Sequence, residues 1–193
     1  MNLNIPNMLT LLRIVLIPVF VIVFYLPQSW SALLATVIFV LAALTDWLDG
    51  YLARRWNETS AFGAFLDPVA DKLMVATALI LIVEANPTNY SGIWLAIPAA
   101  VIVGREITIS ALREWMAEIG ASAKVAVSML GKIKTTAQMA ALILLIYQVP
   151  LGPLPIPAIG FFLLYLAAIL TLWSMVLYLR AAWPLLSKST EKN

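Results

Sequence analysis

A chain of 193 residues that is 63% hydrophobic and only 11% charged is too apolar for a soluble domain, in which about a quarter of residues are charged. Its mean hydropathy of +0.96 predicts a polytopic membrane protein, with most residues needed for the spans. The net charge of +2 says less than the positions of the charges. Cysteine and histidine are absent, which excludes disulfides, thiol chemistry and imidazole ligands. We therefore expect one membrane domain over residues 1–193, with oxygen ligands for any metal.

The order of apolar and polar segments predicts an all-α fold with six transmembrane helices. Residues 1–10, continued by 11–13, predict a short amphipathic juxtamembrane helix before the first span. Gly104, Arg105 and Glu106 interrupt the fourth predicted span, a polar connection covers 117–134, and a polar tail begins at 187. The predicted spans are 11–26, 31–55, 63–83, 93–116, 135–149 and 158–180.

The basic residues favour one end of the predicted spans. Six spans place both termini on the same side, and every Lys and Arg falls on that side or toward that end of a span. The three opposite turns, 27–31, 84–92 and 150–157, contain neither residue type. The positive-inside rule therefore predicts cytoplasmic termini.

Residues 46–71 contain the densest polar pattern of the chain, D-x2-D-G-x2-A-R-x8-G-x3-D-x3-D. At helical spacing, positions 46, 49, 50, 53 and 54 share one face, and positions 63, 67 and 71 form a second stripe. If the two helices are antiparallel neighbours, their carboxylates can meet in one pocket. These carboxylates are Asp46, Asp49, Asp67 and Asp71.

Four clustered aspartates near a membrane require compensating cations. A charge near the bilayer centre costs about 2.5–3.5 kcal/mol on insertion scales, and carboxylates on facing helices also repel one another. Structural ion pairs with Arg54, Arg55 or Lys72 are one explanation. We favour two divalent ions, Mg²⁺ or Mn²⁺, because they neutralise the cluster more completely and suit phosphoryl transfer.

Small residues accompany the carboxylates. Close helix packing explains Gly63 by itself. Between the candidate ligands, Gly50 and Ala53 would also let a bulky substrate approach the metals, and Arg54 is placed to meet a phosphate. Together these residues suit a diphosphate substrate.

The motif fits at every position the signature of the CDP-alcohol phosphatidyltransferases, which this chain resembles. The resemblance covers most of the chain through NIPNMLTLLRIVLIP, the extended motif, REITISALREWMAEIG and GKIKTTAQM. These stretches look like those of bacterial members that use glycerol 3-phosphate. The resemblance implies a six-helix enzyme of the bacterial inner membrane, usually a homodimer, with a cytoplasmic active site.

The resemblance also implies roles for individual residues. One divalent ion would be bound by Asp46, Asp49 and Asp67. The second would be bound by Asp46, Asp67 and Asp71, and Asp71 would also be the general base. The expected CDP-diacylglycerol side of the site comprises Gly50, Ala53, Arg54, Ser60, Gly63, Asn7 and Thr10.

The implied reaction is attack by the 1-hydroxyl of sn-glycerol 3-phosphate on the β-phosphorus of CDP-diacylglycerol. It yields phosphatidylglycerol phosphate and CMP, the committed step toward phosphatidylglycerol and cardiolipin. The acceptor carries a phosphate dianion, for which we expect Arg105, Arg113 and Lys132 as contacts. A structural ion pair between Arg105 and Glu106 is the competing interpretation.

Three other functions fit parts of the sequence. The motif also suits another acceptor within the family, such as serine, inositol phosphate or phosphatidylglycerol. A divalent-cation transporter would need acids near the midplane, whereas these cluster at one end. A membrane prenyltransferase also uses Asp-rich motifs, but it lacks the D-G-x2-A-R-x8-G pattern. Nothing in the sequence predicts a nucleic-acid partner; the expected partners are the two substrates, membrane lipid and a second copy.

Overall fold

The computed structural model describes residues 5–56, 61–118, 129–150 and 152–190, and the secondary-structure elements in these ranges are six α-helices. Each helix corresponds to one predicted span, and the all-α prediction is confirmed. The helices are α1 (Ile5–Phe24), α2 (Ser31–Trp56), α3 (Ala61–Ala85), α4 (Ile93–Glu118), α5 (Met129–Tyr147) and α6 (Ile156–Thr190).

Left-handed residues end two of the helices. Asn86 follows α3 with a φ of 41°, and its N–H donates to the carbonyl of Ile82 over 3.0 Å. Gln148 follows α5 with a φ of 59°. A left-handed residue directly after a helix turns the chain away while satisfying a terminal carbonyl. These residues therefore set where α3 and α5 stop.

The helices pack into one bundle around a shared apolar core. α1 packs against α2 and α3, α5 against α2, α3 and α6, and α4 against α3 and α6. A smaller cluster, Ile109, Met116 and Tyr178, joins the C-terminal halves of α4 and α6. The fully buried side chains of the main core include Phe20, Phe39, Leu79, Ile102, Leu142 and Leu164.

Three of the described helices are long and apolar enough to cross a membrane. α2 adds a shorter apolar segment, Ser31–Asp46. α3 carries Asp67, Asp71 and Lys72, which interrupt its apolar run. The apolar helices indicate a membrane protein, and six crossings remain a prediction. The segments that qualify are Asn7–Phe24, Ile93–Glu118 and Ile156–Arg180.

The structure corrects the prediction for the first helix and explains the polar interruption predicted in the fourth. Residues from Ile5 to Phe24 form one continuous helix, so the described part of the N-terminus has no separate amphipathic helix. Arg13, which the sequence analysis counted among the basic residues of the cytoplasmic end, is buried in the bundle. α4 continues through Arg105 and Glu106 because these residues pair with side chains of other helices.

The boundaries of α5 and α6 also differ from the prediction. α5 begins at Met129, so Lys132 and Lys134 lie on a helix and not in the connection, of which residues 119–128 lie outside the described ranges. α6 continues beyond Arg180 to Thr190, and the predicted tail is helical to that point. Polar composition suggested loops in both places, but polarity alone does not end a helix.

Side-chain contacts show which helix ends lie together. Arg13 contacts Asp46, and Lys134 contacts Glu106, so the N-terminal halves of α1 and α5 meet the C-terminal halves of α2 and α4. At the other end of the bundle, the Tyr25 hydroxyl donates to Glu84 over 3.3 Å. The aspartates and most of the basic residues are therefore concentrated at one end.

Candidate functional site

The N-terminal half of α1 presents a polar face to the interior of the bundle. Asn7, Thr10 and Arg13 follow one another at intervals of three residues, and all three are buried. This spacing keeps them near one side of the helix, toward α2 and α3. An apolar helix buries such a face only where its partners supply polar groups.

Arg13 supplies the cation for the aspartates of α2. Its Nη1 lies 2.7 Å from Oδ1 of Asp46, and its Nη2 pairs with Oδ2 of Asp49. The Arg13 side chain is only 1% exposed, and Asp49 is also buried. Charges taken out of water need such charge-assisted hydrogen bonds. The sequence prediction treated Arg13 as an ordinary residue of the positive end and missed this role.

Thr10 connects the aspartates of α2 and α3. Its hydroxyl donates to Oδ1 of Asp67 and lies 3.5 Å from Oδ2 of Asp49. Together with Arg13, it links three of the four predicted carboxylates into one polar network. The family resemblance implied that Thr10 contacts CDP-diacylglycerol, and the structure places its hydroxyl among the predicted metal ligands.

Asp71 lies between this network and a second feature of the bundle. It is one turn beyond Asp67 on α3, and with Arg13 and Asp46 it borders a small gap between the helices. The same side chain lines a larger cavity of about 470 Å³. Asp71 therefore faces both the aspartate network and the cavity.

The larger cavity, here called the basic cavity, is bordered by α3, α4, α5 and α6. Its lining contains four basic side chains and two acidic ones, so it favours an anion. Its volume falls in the range of small-molecule sites. The charged lining residues are Lys72, Arg105, Arg113, Lys134, Asp71 and Glu106.

Glu106 holds two cations at the wall of the basic cavity. Its Oε1 accepts hydrogen bonds from Nη1 of Arg105 over 3.0 Å and from Nζ of Lys134 over 2.8 Å. Nη2 of Arg105 also donates to Oγ of Ser174 over 3.1 Å. One carboxylate shared by two cations leaves a net positive charge, so the predicted Arg105–Glu106 pair is compatible with anion binding.

The other two residues predicted to contact the acceptor phosphate, Arg113 and Lys132, lie in different surroundings. Arg113 lines the basic cavity and lies over the ring of Tyr178, 5.5 Å from its centroid. Lys132 is exposed and is not among the lining residues, whereas Lys134 is 6% exposed and lines the cavity. The two lysines are two positions apart on α5 and therefore face different directions. The sequence prediction named Lys132 as a contact of the acceptor phosphate, whereas the lysine of α5 that lines the basic cavity is Lys134.

The predicted CDP side is only partly described. Gly63 is buried on α3, while Gly50, Ala53 and Arg54 lie on α2. The contacts expected of Gly50 and of the Ala53 and Arg54 side chains, and Ser60 as a whole, lie outside the described part of the chain.

Among the described residues, the aspartate network contains oxygen donors but no compact group of metal ligands. Within the described ranges, no three His, Cys, Asp or Glu side chains are grouped closely enough to hold a metal ion. Arg13 and Thr10 pair with the carboxylates in that arrangement. The donor set nevertheless fits a hard divalent cation by its chemistry, because it offers only carboxylate and hydroxyl oxygens from three adjoining helices.

Comparisons with known proteins all point to one family. The family model for CDP-alcohol phosphatidyltransferase matches residues 3–173. The CDP-diacylglycerol–glycerol-3-phosphate 3-phosphatidyltransferase of Yersinia enterocolitica serotype O:8 is 57% identical over 95% of this chain and 97% of its own length. The protein of the same name from Shigella flexneri serotype 5b is 55% identical over 94% of this chain and 96% of its own length. The chain therefore belongs to the CDP-alcohol phosphatidyltransferase family.

Proposed function

We propose that this protein transfers a phosphatidyl group from CDP-diacylglycerol to sn-glycerol 3-phosphate, releasing CMP. The relatives named above carry this activity in their names and match nearly the whole chain. The structural observation that supports it best is the position of Asp71. This carboxylate borders the aspartate network on one side and the basic cavity on the other. A reaction between a metal-bound diphosphate and an anionic alcohol needs a base at such a junction.

Asp46, Asp49, Asp67 and Asp71 are the residues that would hold the divalent ions. Members of the family use a divalent metal, and we propose two ions per site, Mg²⁺ or Mn²⁺. Bound there, they would neutralise the diphosphate and stabilise the charge developing on the departing CMP. Binding would require Arg13 to give up part of its contact with Asp46 and Asp49.

The two substrates would approach Asp71 from opposite sides. On the α2 side, Gly50 and Ala53 would leave room for the CDP headgroup and Arg54 would contact its phosphate; Ser60, Gly63, Asn7 and Thr10 complete this proposed surface. On the other side, Arg105 and Lys134 would bind the phosphate of the acceptor, with Arg113 nearby. The guanidinium and ammonium are already placed by Glu106, which lowers the entropic cost of binding.

The proposed reaction is a direct displacement at phosphorus. The 1-hydroxyl of the acceptor attacks the β-phosphorus, its proton passes to a carboxylate oxygen of Asp71, and the bond to the CMP oxygen breaks. CMP departs with that electron pair, so no covalent enzyme intermediate is required. Holding the hydroxyl and the phosphorus in reach of each other supplies much of the rate.

The proposed setting is the bacterial inner membrane. Six crossings would place the aspartate network and the basic cavity at the cytoplasmic side, where the soluble substrate glycerol 3-phosphate and the product CMP are found. The concentration of basic residues at that end supports this orientation. We further propose a single domain and a homodimer, as the family resemblance implies.

The direct test is CMP release by detergent-purified protein supplied with CDP-diacylglycerol and Mg²⁺. Glycerol 3-phosphate should support release, whereas serine, inositol and inositol phosphate should not, and EDTA should abolish it. Asp71→Asn, which keeps the shape but loses the base, should lower kcat by about 10²–10⁴-fold. Release with a different acceptor would keep the family and overturn the substrate. Full activity of Asp71→Asn would remove Asp71 as the base.

A further inference from the structure

The basic cavity contains an uncharged polar side chain whose role is not explained by the cations. Gln138 lies on α5 one turn after Lys134, so the two side chains share a face of the helix. Both line the cavity, together with Arg105 and Asp71. Gln138 is only 6% exposed, although amide side chains are usually found at surfaces.

Two buried polar atoms of the described cavity lining have no hydrogen-bond partner. They are Nε of Arg105, a donor, and Oε1 of Gln138, an acceptor. The other neutral polar groups are engaged, because Ser174 accepts from Arg105 and the Thr135 hydroxyl donates to the carbonyl of Gly131 over 3.0 Å. A buried acceptor without a partner is costly, so a ligand that supplies a donor gains affinity there.

The chemistry of the acceptor alcohol matches these two atoms. Its phosphate suits Nε of Arg105, and its reacting primary hydroxyl belongs at Asp71. One group remains, the secondary hydroxyl on the middle carbon. A hydroxyl both donates and accepts, so it satisfies a glutamine amide in either orientation.

We propose that Gln138 hydrogen-bonds the secondary hydroxyl of glycerol 3-phosphate and thereby determines specificity for this acceptor. This inference rests on the proposed function and adds a residue to it. Gln138 would separate glycerol phosphate from other phosphorylated alcohols, while Arg105 and Lys134 recognise the phosphate that such compounds share.

The test compares two acceptors, glycerol 3-phosphate and 3-hydroxypropyl phosphate, which lacks the secondary hydroxyl. The wild-type protein should use glycerol 3-phosphate with a kcat/KM at least about tenfold higher, since a site built for a hydroxyl leaves its own group unpaired without one. In Gln138→Leu, kcat/KM for glycerol 3-phosphate should fall about tenfold, and that for 3-hydroxypropyl phosphate should change less than about twofold.

Thr171→Val is the matched control. Oγ1 of Thr171 is likewise buried and without a partner in the described ranges, but Thr171 does not line the basic cavity. Its replacement should leave the ratio between the two acceptors unchanged. Equal losses for both acceptors in Gln138→Leu would make Gln138 a structural residue and overturn the inference.

The wild-type protein alone decides the question if Gln138→Leu fails to fold. Equal use of the two acceptors by wild type overturns the role of Gln138 and leaves the proposed function intact. No CMP release with either acceptor, from folded protein with Mg²⁺, overturns the proposed function as well. Gln138→Met, which keeps the length of the side chain, serves as a second variant and should show the same collapse of the ratio.

Discussion

Arg13 is a fully buried cation held by two ion pairs to α2. Removing one partner of a buried ion pair costs about 3–5 kcal/mol of folding stability. Because Asp46 is partly exposed, we expect a loss of stability near or below the lower value. Arg13→Met should therefore lower the Tm of the detergent-solubilised protein in EDTA. Mg²⁺ should raise the Tm of the variant more than that of wild type, because a divalent ion replaces the missing cation.

Arg55 provides the control for this substitution. It also lies on α2, but it is exposed and contacts only the Tyr51 ring and hydroxyl among its described neighbours. Arg55→Met should change the Tm little, with or without Mg²⁺. A normal Tm for Arg13→Met in EDTA would mean that the two ion pairs contribute no net stability.

The same substitution, lysine to methionine, at Lys134 and at Lys132 tests whether the basic cavity binds the acceptor. Lys134 is buried, lines the cavity and donates to Glu106, whereas Lys132 is exposed. Lys134→Met should raise the KM for glycerol 3-phosphate by about tenfold or more, since a charge-assisted hydrogen bond to phosphate is lost. The KM for CDP-diacylglycerol should change far less.

Steady-state CMP release at varied acceptor concentration measures this difference. Lys132→Met should stay within about twofold of wild type, as exposed charges contribute little. The opposite ranking of the two variants would return Lys132 to the acceptor site and place the cavity elsewhere.

The sequence was informative about residues with unusual chemistry in an apolar context. Four aspartates at helical spacing indicated a candidate site, because each is expensive in a membrane without a partner. Arg13 was missed since one arginine near a helix end matches a positive-inside residue. The signal was its spacing from Asn7 and Thr10, which creates a polar face. Gln138 carried no such signal, as only the three-dimensional cavity shows that its oxygen lacks a partner.

At the scale of the helices, Gly160 of α6 packs closely against Leu144 and Leu145 of α5. A Cβ at this position would lie 2.8 Å from Cγ of Leu145 and 3.1 Å from Cβ of Leu144. Leu145 is fully buried, so its displacement would disturb the packed core. Gly160→Ala should therefore destabilise the protein by about 1–3 kcal/mol, and the lower Tm should be measurable in detergent.

Gly104→Ala is the matched helix substitution. A Cβ at Gly104 meets nothing within 4 Å, so the change should be neutral or stabilise α4 by up to about 1 kcal/mol. Equal Tm values for the Gly160 and Gly104 variants would show that α5 and α6 adjust without cost.

Helix existence was predictable here and helix ends were less so. Long apolar runs bounded by Pro and Gly have few alternatives to helix in a membrane, which explains the agreement for all six. The predicted start of α5 and the predicted end of α6 were wrong because lysines and serines are typical of loops in an apolar chain. Lys134 remains helical because Glu106 of α4 neutralises it, a partner that local sequence does not reveal.

At the scale of the whole molecule, composition alone indicated a membrane protein. The number of crossings is harder to infer, since three described helices qualify by length and apolar composition while the other three carry charge or are shorter. Four of those charges, Asp46, Asp49, Asp67 and Lys134, pair within the bundle with Arg13, Thr10 and Glu106. A helix whose charges are satisfied internally can cross a bilayer although its hydropathy suggests otherwise.

A topology with six crossings and one with three place the α5–α6 turn on different sides of the membrane. Because the chain contains no cysteine, a single introduced cysteine can report the side on which it lies. Ser29 and Leu154 are exposed and lie in two turns that are both predicted on the side opposite the termini. We expect Ser29→Cys and Leu154→Cys to react with a membrane-impermeant maleimide added outside intact spheroplasts. Glu118→Cys, exposed at the end of α4, should react only after permeabilisation. If only the qualifying helices crossed, Leu154→Cys would behave like Glu118→Cys. That result would place the turn before α6 on the cytoplasmic side and rule out the six-span topology.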